Sequence, residues 1–148
     1  MKKMMKLTAL ILTAAMAMTG CGGSGGSADA EGKYKVGIVQ QLEHPALDAA
    51  SLGFQEKLTE LTDGNVVFDY QNAQGEQTNC TTIATKFVSD GVDLIMANAT
   101  TALQSAAAAT ADIPIVGTSV TDYVTAGVVE SNEAPGRNVT GASDLAPI

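Results

Sequence analysis

The sequence of 148 residues has no tryptophan, a single histidine, two cysteines and four prolines. So few cysteines and histidines exclude a Cys/His metal cluster. If the chain is processed before Cys21 and that residue becomes a modified N-terminus, Cys80 is the only other cysteine and has no partner for an intrachain disulfide. Cationic residues are also scarce, with eight Lys and Arg against sixteen Asp and Glu. Beyond residue 20 the cations are Lys33, Lys35, Lys57, Lys86 and Arg137, so that portion carries 5 − 16 = −11. A surface of that sign repels phosphate backbones, which excludes a nucleic-acid role. No apolar run reaches membrane-spanning length; the longest, Leu7 to Met18, has twelve residues. Neither a GxGxxG turn nor a Walker sequence follows any strand predicted below, so no dinucleotide or nucleotide cofactor is expected.

What is present begins with a leader. Lys2, Lys3 and Lys6 form a positive start, the apolar run follows, and "MTGC" at 18–21 resembles a bacterial lipobox. Residues 1–20 are therefore expected to be a signal peptide, with Cys21 lipidated. "GGSGGSADAEG" behind it reads as a flexible, solvated tether over 21–32. Each buried lipid CH₂ contributes about 0.8 kcal/mol, so several acyl chains together anchor firmly. The expected location is the cell membrane, lipid-anchored, on its extracytoplasmic side.

From residue 33 the pattern alternates. Tyr34 to Gln40 reads as a strand and Pro45 to Thr62 as a helix, with Pro45 in its first turn and Leu47, Phe54, Leu58 and Leu61 at helical spacing. Gly64 is placed to cap it. "VVFDY" at 66–70 is a strand, Glu76 to Asp90 a helix stopped by Gly91, and "VDLIMAN" at 92–98 a strand. "TTALQSAAAATA" at 100–111 is a helix, "IPIVGTS" at 113–119 a strand, and 138–143 a further extended segment. Apolar strands separated by helices predict an α/β fold: a doubly wound, Rossmann-like parallel sheet covered on both faces. Cys80 falls in step with Ile83, Ala84, Phe87 and Val88 and reads as a core residue.

Ligands of such sheets sit beyond the carboxyl ends of the strands. Three loops are therefore candidates. "QQLEHP" offers Gln40, Glu43 and His44. A catalytic pairing of His44 with Glu43 or Asp48 is disfavoured, because adjacent side chains rarely face one another and no nucleophile elbow is present. "NATT" leads into a helix N-terminus, where Thr100 or Thr101 can cap and where an anion can bind; Gln104 lies one turn on. "GTSVTD" offers Ser119, Val120, Thr121 and Asp122. Two hydroxyl-rich loops on neighbouring strands suit one carboxylate. The N-x-S/T matches at Asn79, Asn98 and Asn138 are read as chance.

"VGIVQQLEHPALD", "NATTALQSAAAAT", "IPIVGTSVTDY" and "PGRNVTGASDLAPI" together resemble the solute-binding lipoproteins of ABC importers, in the tryptophan/tyrosine-binding branch. Arg137 departs from the glycine more usual there. The resemblance implies two α/β lobes, of the type I periplasmic-binding-protein class, closing on a free amino acid. Residues 33–140 would form the N-terminal lobe and 141–148 the start of the crossover, the chain being truncated before most of the second lobe. Permease and ATPase subunits would be the partners. No enzyme activity is expected; a lipoprotein sensor signalling to a membrane receptor is the alternative, and a small hydrolase a weaker one.

Overall fold

The computed structural model describes residues 32–144. The leader, Cys21, nearly all of the tether and the last four residues lie outside that range. Strands and helices alternate as β1 (Tyr34–Gln40), α1 (Pro45–Leu61), β2 (Val66–Asn72), α2 (Gln77–Asp90), β3 (Leu94–Asn98), α3 (Thr100–Ala109), β4 (Ile115–Val120) and β5 (Val139–Ser143). The five strands are all parallel, in the order β2-β1-β3-β4-β5. This is the doubly wound α/β sheet that the alternation predicts.

Several boundaries move for local reasons. Helix α1 ends in a Schellman turn: the N–H of Gly64 donates to Thr59 O at 2.8 Å and that of Asp63 to Glu60 O at 3.2 Å. Asp63, at φ 50°, takes the left-handed position nearest the helix, and Gly64 follows it at φ 77°. Helix α2 does stop at Gly91, which is left-handed at φ 63°. Helix α3 ends two residues early because Thr110 turns extended and its hydroxyl accepts the N–H groups of Asp112 and Ile113.

Burial divides the sheet by side. Val36, Ile38, Val66 and Met96 face α1 with Phe54 and Leu58. Val39, Ile95, Ala97 and Ile115 face α2 and α3, whose Cys80, Ala84, Phe87, Leu103 and Ala106 complete the larger core. Cys80 is fully buried, and desolvation pushes its thiol above the ordinary range, so it is an inert packing residue. Among the described residues no helix is long and apolar enough to cross a membrane, and no group of three potential metal ligands occurs.

Candidate functional site

Strand order reverses between β1 and β3, where Gln40 is in register with Asn98. The chain leaves β1 toward α1 on one face and leaves β3 toward α3 on the other. A crevice at the strand ends follows from that divergence. Backbone strain is concentrated beside it. Ala99 has φ 86° and ψ 160°, a region nearly reserved for glycine, and Ser119 has φ 56°. Each such residue costs about 1–3 kcal/mol and persists where its surroundings over-determine it. The two are neighbours: Asn98 is in register with Thr118, and Ala99 N–H donates to Thr118 O at 3.0 Å. Ser119 occupies an irregularity of the β4–β5 ladder between Gly117 and Val120.

The expected threonine cap of α3 is corrected by this geometry. The N-cap residue is Ala99, and no side chain caps the helix. Thr100 and Thr101 lie inside its first turn, half-buried, where the first-turn amides have no side-chain cap. A helix start that carries its own hydroxyls and lies next to the hydroxyl-bearing end of β4 can accept a carboxylate. Gln104 is exposed and donates from Nε2 to Ala126 O at 2.9 Å, tying α3 to the turn after β4.

The 40–48 segment is organised from beneath. Gln40 is fully buried, and both ends of its amide are occupied. Its Nε2 donates to Leu42 O at 2.9 Å and to Asp48 Oδ1 at 2.6 Å, while its Oε1 accepts from Ser51 Oγ at 2.7 Å and Asn98 Nδ2 at 3.2 Å. Gln40 therefore supports the loop instead of lining it, which corrects the expectation of direct contact. Glu43 and His44 are exposed. His44 is the N-cap of α1, its Nδ1 accepting the N–H of Ala46 at 3.2 Å. The Asp48 carboxylate accepts from Gln40 Nε2 through Oδ1, so its hydrogen bonding engages β1 and not the imidazole. Loss of this cap in His44→Ala should lower the unfolding free energy by about 0.5–2 kcal/mol, measured by urea denaturation. His44→Ser, which restores a short acceptor, should recover most of that loss.

The third loop divides between surface and core. Val120 is fully buried among the α2/α3-side core residues, which corrects its placement as a lining side chain. Thr121 is exposed, and its carbonyl accepts Ser143 Oγ at 2.7 Å. Asp122 Oδ1 accepts the N–H groups of Val124 and Thr125, both at 2.9 Å. The Thr125 N–H is the main reason its carboxyl lies below the usual carboxylate range, so Asp122 is an anion at neutral pH. Tyr123 folds back over the in-register pair Gly117 and Gly141 and donates to Ala142 O at 3.1 Å. A Cβ on Gly141 would meet the carbonyl of Gly117 and the Tyr123 hydroxyl, so this position requires glycine.

Of the sequence candidates, Thr100, Thr101 and Ser119 are thus brought together at adjoining strand ends. Glu43 and His44 lie across the crevice, joined to β3 by the bond from Gln41 N–H to Asn98 O at 3.2 Å. Asn98, Ser51 and Asp48 were missed as a group. The available signal was Gln40 and Asn98, two amides closing otherwise apolar strands.

Comparison with known proteins then gives this arrangement relatives. A family model described as ABC transporter substrate binding protein matches residues 35–148. A curated tyrosine-binding protein of Clostridioides difficile (strain R20291) is 43% identical over 162 aligned positions, which take in 100% of this chain and 47% of that protein. The chain thus spans about half the length of this relative. Among solved structures, a ligand-free, open substrate-binding protein with adhesive properties from Clostridium difficile has a TM-score of 0.74 at 46% identity, over 78% of this chain and 40% of that one. An ABC domain in complex with L-Trp from Streptococcus pneumonia has a TM-score of 0.73 at 37% identity, over 76% and 39%.

Proposed function

The chain belongs to the ABC transporter substrate-binding proteins, and from that premise we propose that it is the N-terminal lobe of a receptor that binds a free aromatic amino acid for an ABC importer. The open start of α3, flanked by the strained residues Ala99 and Ser119, is the observation that carries this reading. The α-carboxylate would rest on the first-turn amides and on the hydroxyls of Thr101 and Ser119. Asp122 or Glu43 would face the ammonium group, and the 41–45 loop would lie along the side chain. A second lobe would close the crevice over the ligand. The L-Trp complex of one structural relative and the tyrosine-binding name of the curated one support an aromatic ligand. The test is an amino-acid panel followed by amide shifts in NMR. L-tryptophan and L-tyrosine should move the signals of 99–101 and 119–122 before any others. A panel in which neither perturbs those amides would refute the assignment.

Delivery to a permease and its ATPase, from a lipid anchor at Cys21 on the extracytoplasmic side, completes the proposal. The "MTGC" stretch and the tether after it support this part. In a bacterial host Cys21→Ser should move the protein from the membrane fraction to the soluble one. Identical partition of variant and parent would show that no lipid is attached there.

A further inference from the structure

The buried amides at the switch in strand order are arranged unevenly. Asn98 is fully buried, and its Nδ2 lies 2.7 Å from Leu47 O, 2.9 Å from Ser51 Oγ and 3.2 Å from Gln40 Oε1. Two hydrogens thus face three acceptors, while Asn98 Oδ1 is buried with no hydrogen-bond partner among the described residues. Exchanging the amide ends would not relieve this, because Leu47 O can only accept and would then face an oxygen. The orientation is therefore locked by the first turn of α1. A buried carbonyl left without a partner is destabilising and calls for an explanation in the surrounding geometry.

That geometry links the two sides of the crevice. The Asn98 side chain grips α1 through Leu47 O, and the Asn98 backbone carbonyl accepts Gln41 N–H. Through Gln40 the same network reaches Leu42 O and Asp48. The segment carrying Glu43 and His44 is thus held at both ends by Gln40 and Asn98. The next residue after Asn98 is Ala99, whose strained backbone opens α3. A shift of the α1 first turn would release Nδ2 and with it the constraint on β3's exit.

We propose that Asn98 is a positioning residue: its carboxamide sets the spacing between the 41–47 segment and the 99–101 segment, and so the width of the crevice for the ligand side chain. Its bearing on ligand affinity rests on the aromatic amino-acid reading above. The network itself is testable without a ligand.

The experiment compares the chain with its Asn98→Ala and Ser51→Ala variants by amide hydrogen exchange and by NMR titration with L-tryptophan and L-tyrosine. In Asn98→Ala, exchange at 42–48 and 99–102 should accelerate about tenfold or more, while β1 residues 36–39 and helix α2 stay within about twofold. Affinity for both amino acids should fall at least about tenfold. Ser51→Ala removes one acceptor of Nδ2 and the hydroxyl that donates to Gln40 Oε1 but keeps the Leu47 bond, so its loop exchange and affinity should change less than those of Asn98→Ala. A residue that merely fills the core would accelerate exchange evenly across the sheet. Even acceleration, or affinity unchanged in Asn98→Ala, overturns the proposal. If Asn98→Ala does not fold, Asn98→Ser provides the same readouts with a small polar group in place. If the parent chain titrates with neither amino acid, the ligand reading fails, and the exchange pattern decides the network by itself: localised supports it, even overturns it.

Discussion

Phe87→Ala should lower the unfolding free energy by about 3–5 kcal/mol, a large part of the roughly 5–15 kcal/mol typical of a domain. Phe87 is fully buried in the larger core, on α2, and its ring lies against β1 at Gly37. A Cβ on Gly37 would come within 2.5 Å of that ring. Gly37 is thus the slot into which the ring packs. Truncation removes apolar area and leaves a cavity beside Gly37. The matching test is a double-mutant cycle in urea. Gly37→Ala by itself should overpack, at about 1–3 kcal/mol. In the Phe87→Ala background the same methyl enters vacant space and should cost much less. The two changes should therefore deviate from additivity by at least about 0.5 kcal/mol, as residues in contact do. Strict additivity would mean that the ring and the glycine do not share the space.

The second large effect concerns ligand affinity, and it separates binding from stability. Thr101→Ala and Ser119→Gly should each weaken L-tryptophan or L-tyrosine binding by roughly tenfold to a hundredfold, because a hydrogen bond to a charged group contributes about 1.5–3 kcal/mol. Their stabilities should diverge from that loss. Thr101 does not cap α3, so its replacement should leave the denaturation midpoint nearly unchanged. Ser119 at φ 56° is strained, and glycine accepts that conformation freely. Ser119→Gly should therefore hold or raise stability, by up to about 1 kcal/mol, while binding declines. Measurement needs only urea denaturation and an NMR or calorimetric titration of each variant. Full affinity in both variants would place the carboxylate elsewhere. Lowered stability in Ser119→Gly would show that the hydroxyl holds the fold and not the ligand.

Acid sensitivity has a structural source as well. Lys86 pairs with Asp69 and with Asp90, both at 2.6 Å, on the α2 side of β2. Burial alone would raise the Asp69 carboxyl, but the hydrogen bonds from Lys86 and Gln71 hold it below the ordinary value. A carboxyl depressed in the folded state contributes stability above its unfolded pKa and loses it as pH falls through the folded one. The pairs are well exposed, so this contribution is small.

The sequence by itself determined the architecture. Continuously apolar strands at Val36–Val39 and Ile95–Ala97, helical spacing in 77–90, and Gly91 as a left-handed stop are local patterns, and local backbone chemistry decides them. It also carried the three candidate loops, because in a parallel sheet the strand ends are known once the strands are. The tertiary structure alone decided which residues of those loops face the crevice. Gln40 reads as a polar residue at a strand end, yet packing of α1 buries it and commits its amide to Leu42, Asp48, Ser51 and Asn98. Val120 reads as part of a polar loop, yet the irregular register at Gly117–Val120 turns it into the core. The strain at Ala99 and Ser119 leaves no mark in composition, since alanine and serine ordinarily avoid positive φ. It arises because β3 and β4 must stay paired through Asn98 and Thr118 while the chain departs to α3 on one side and to the 121–123 turn on the other. Long-range pairing of residues twenty or more apart imposes that geometry, and no window of neighbouring residues encodes it.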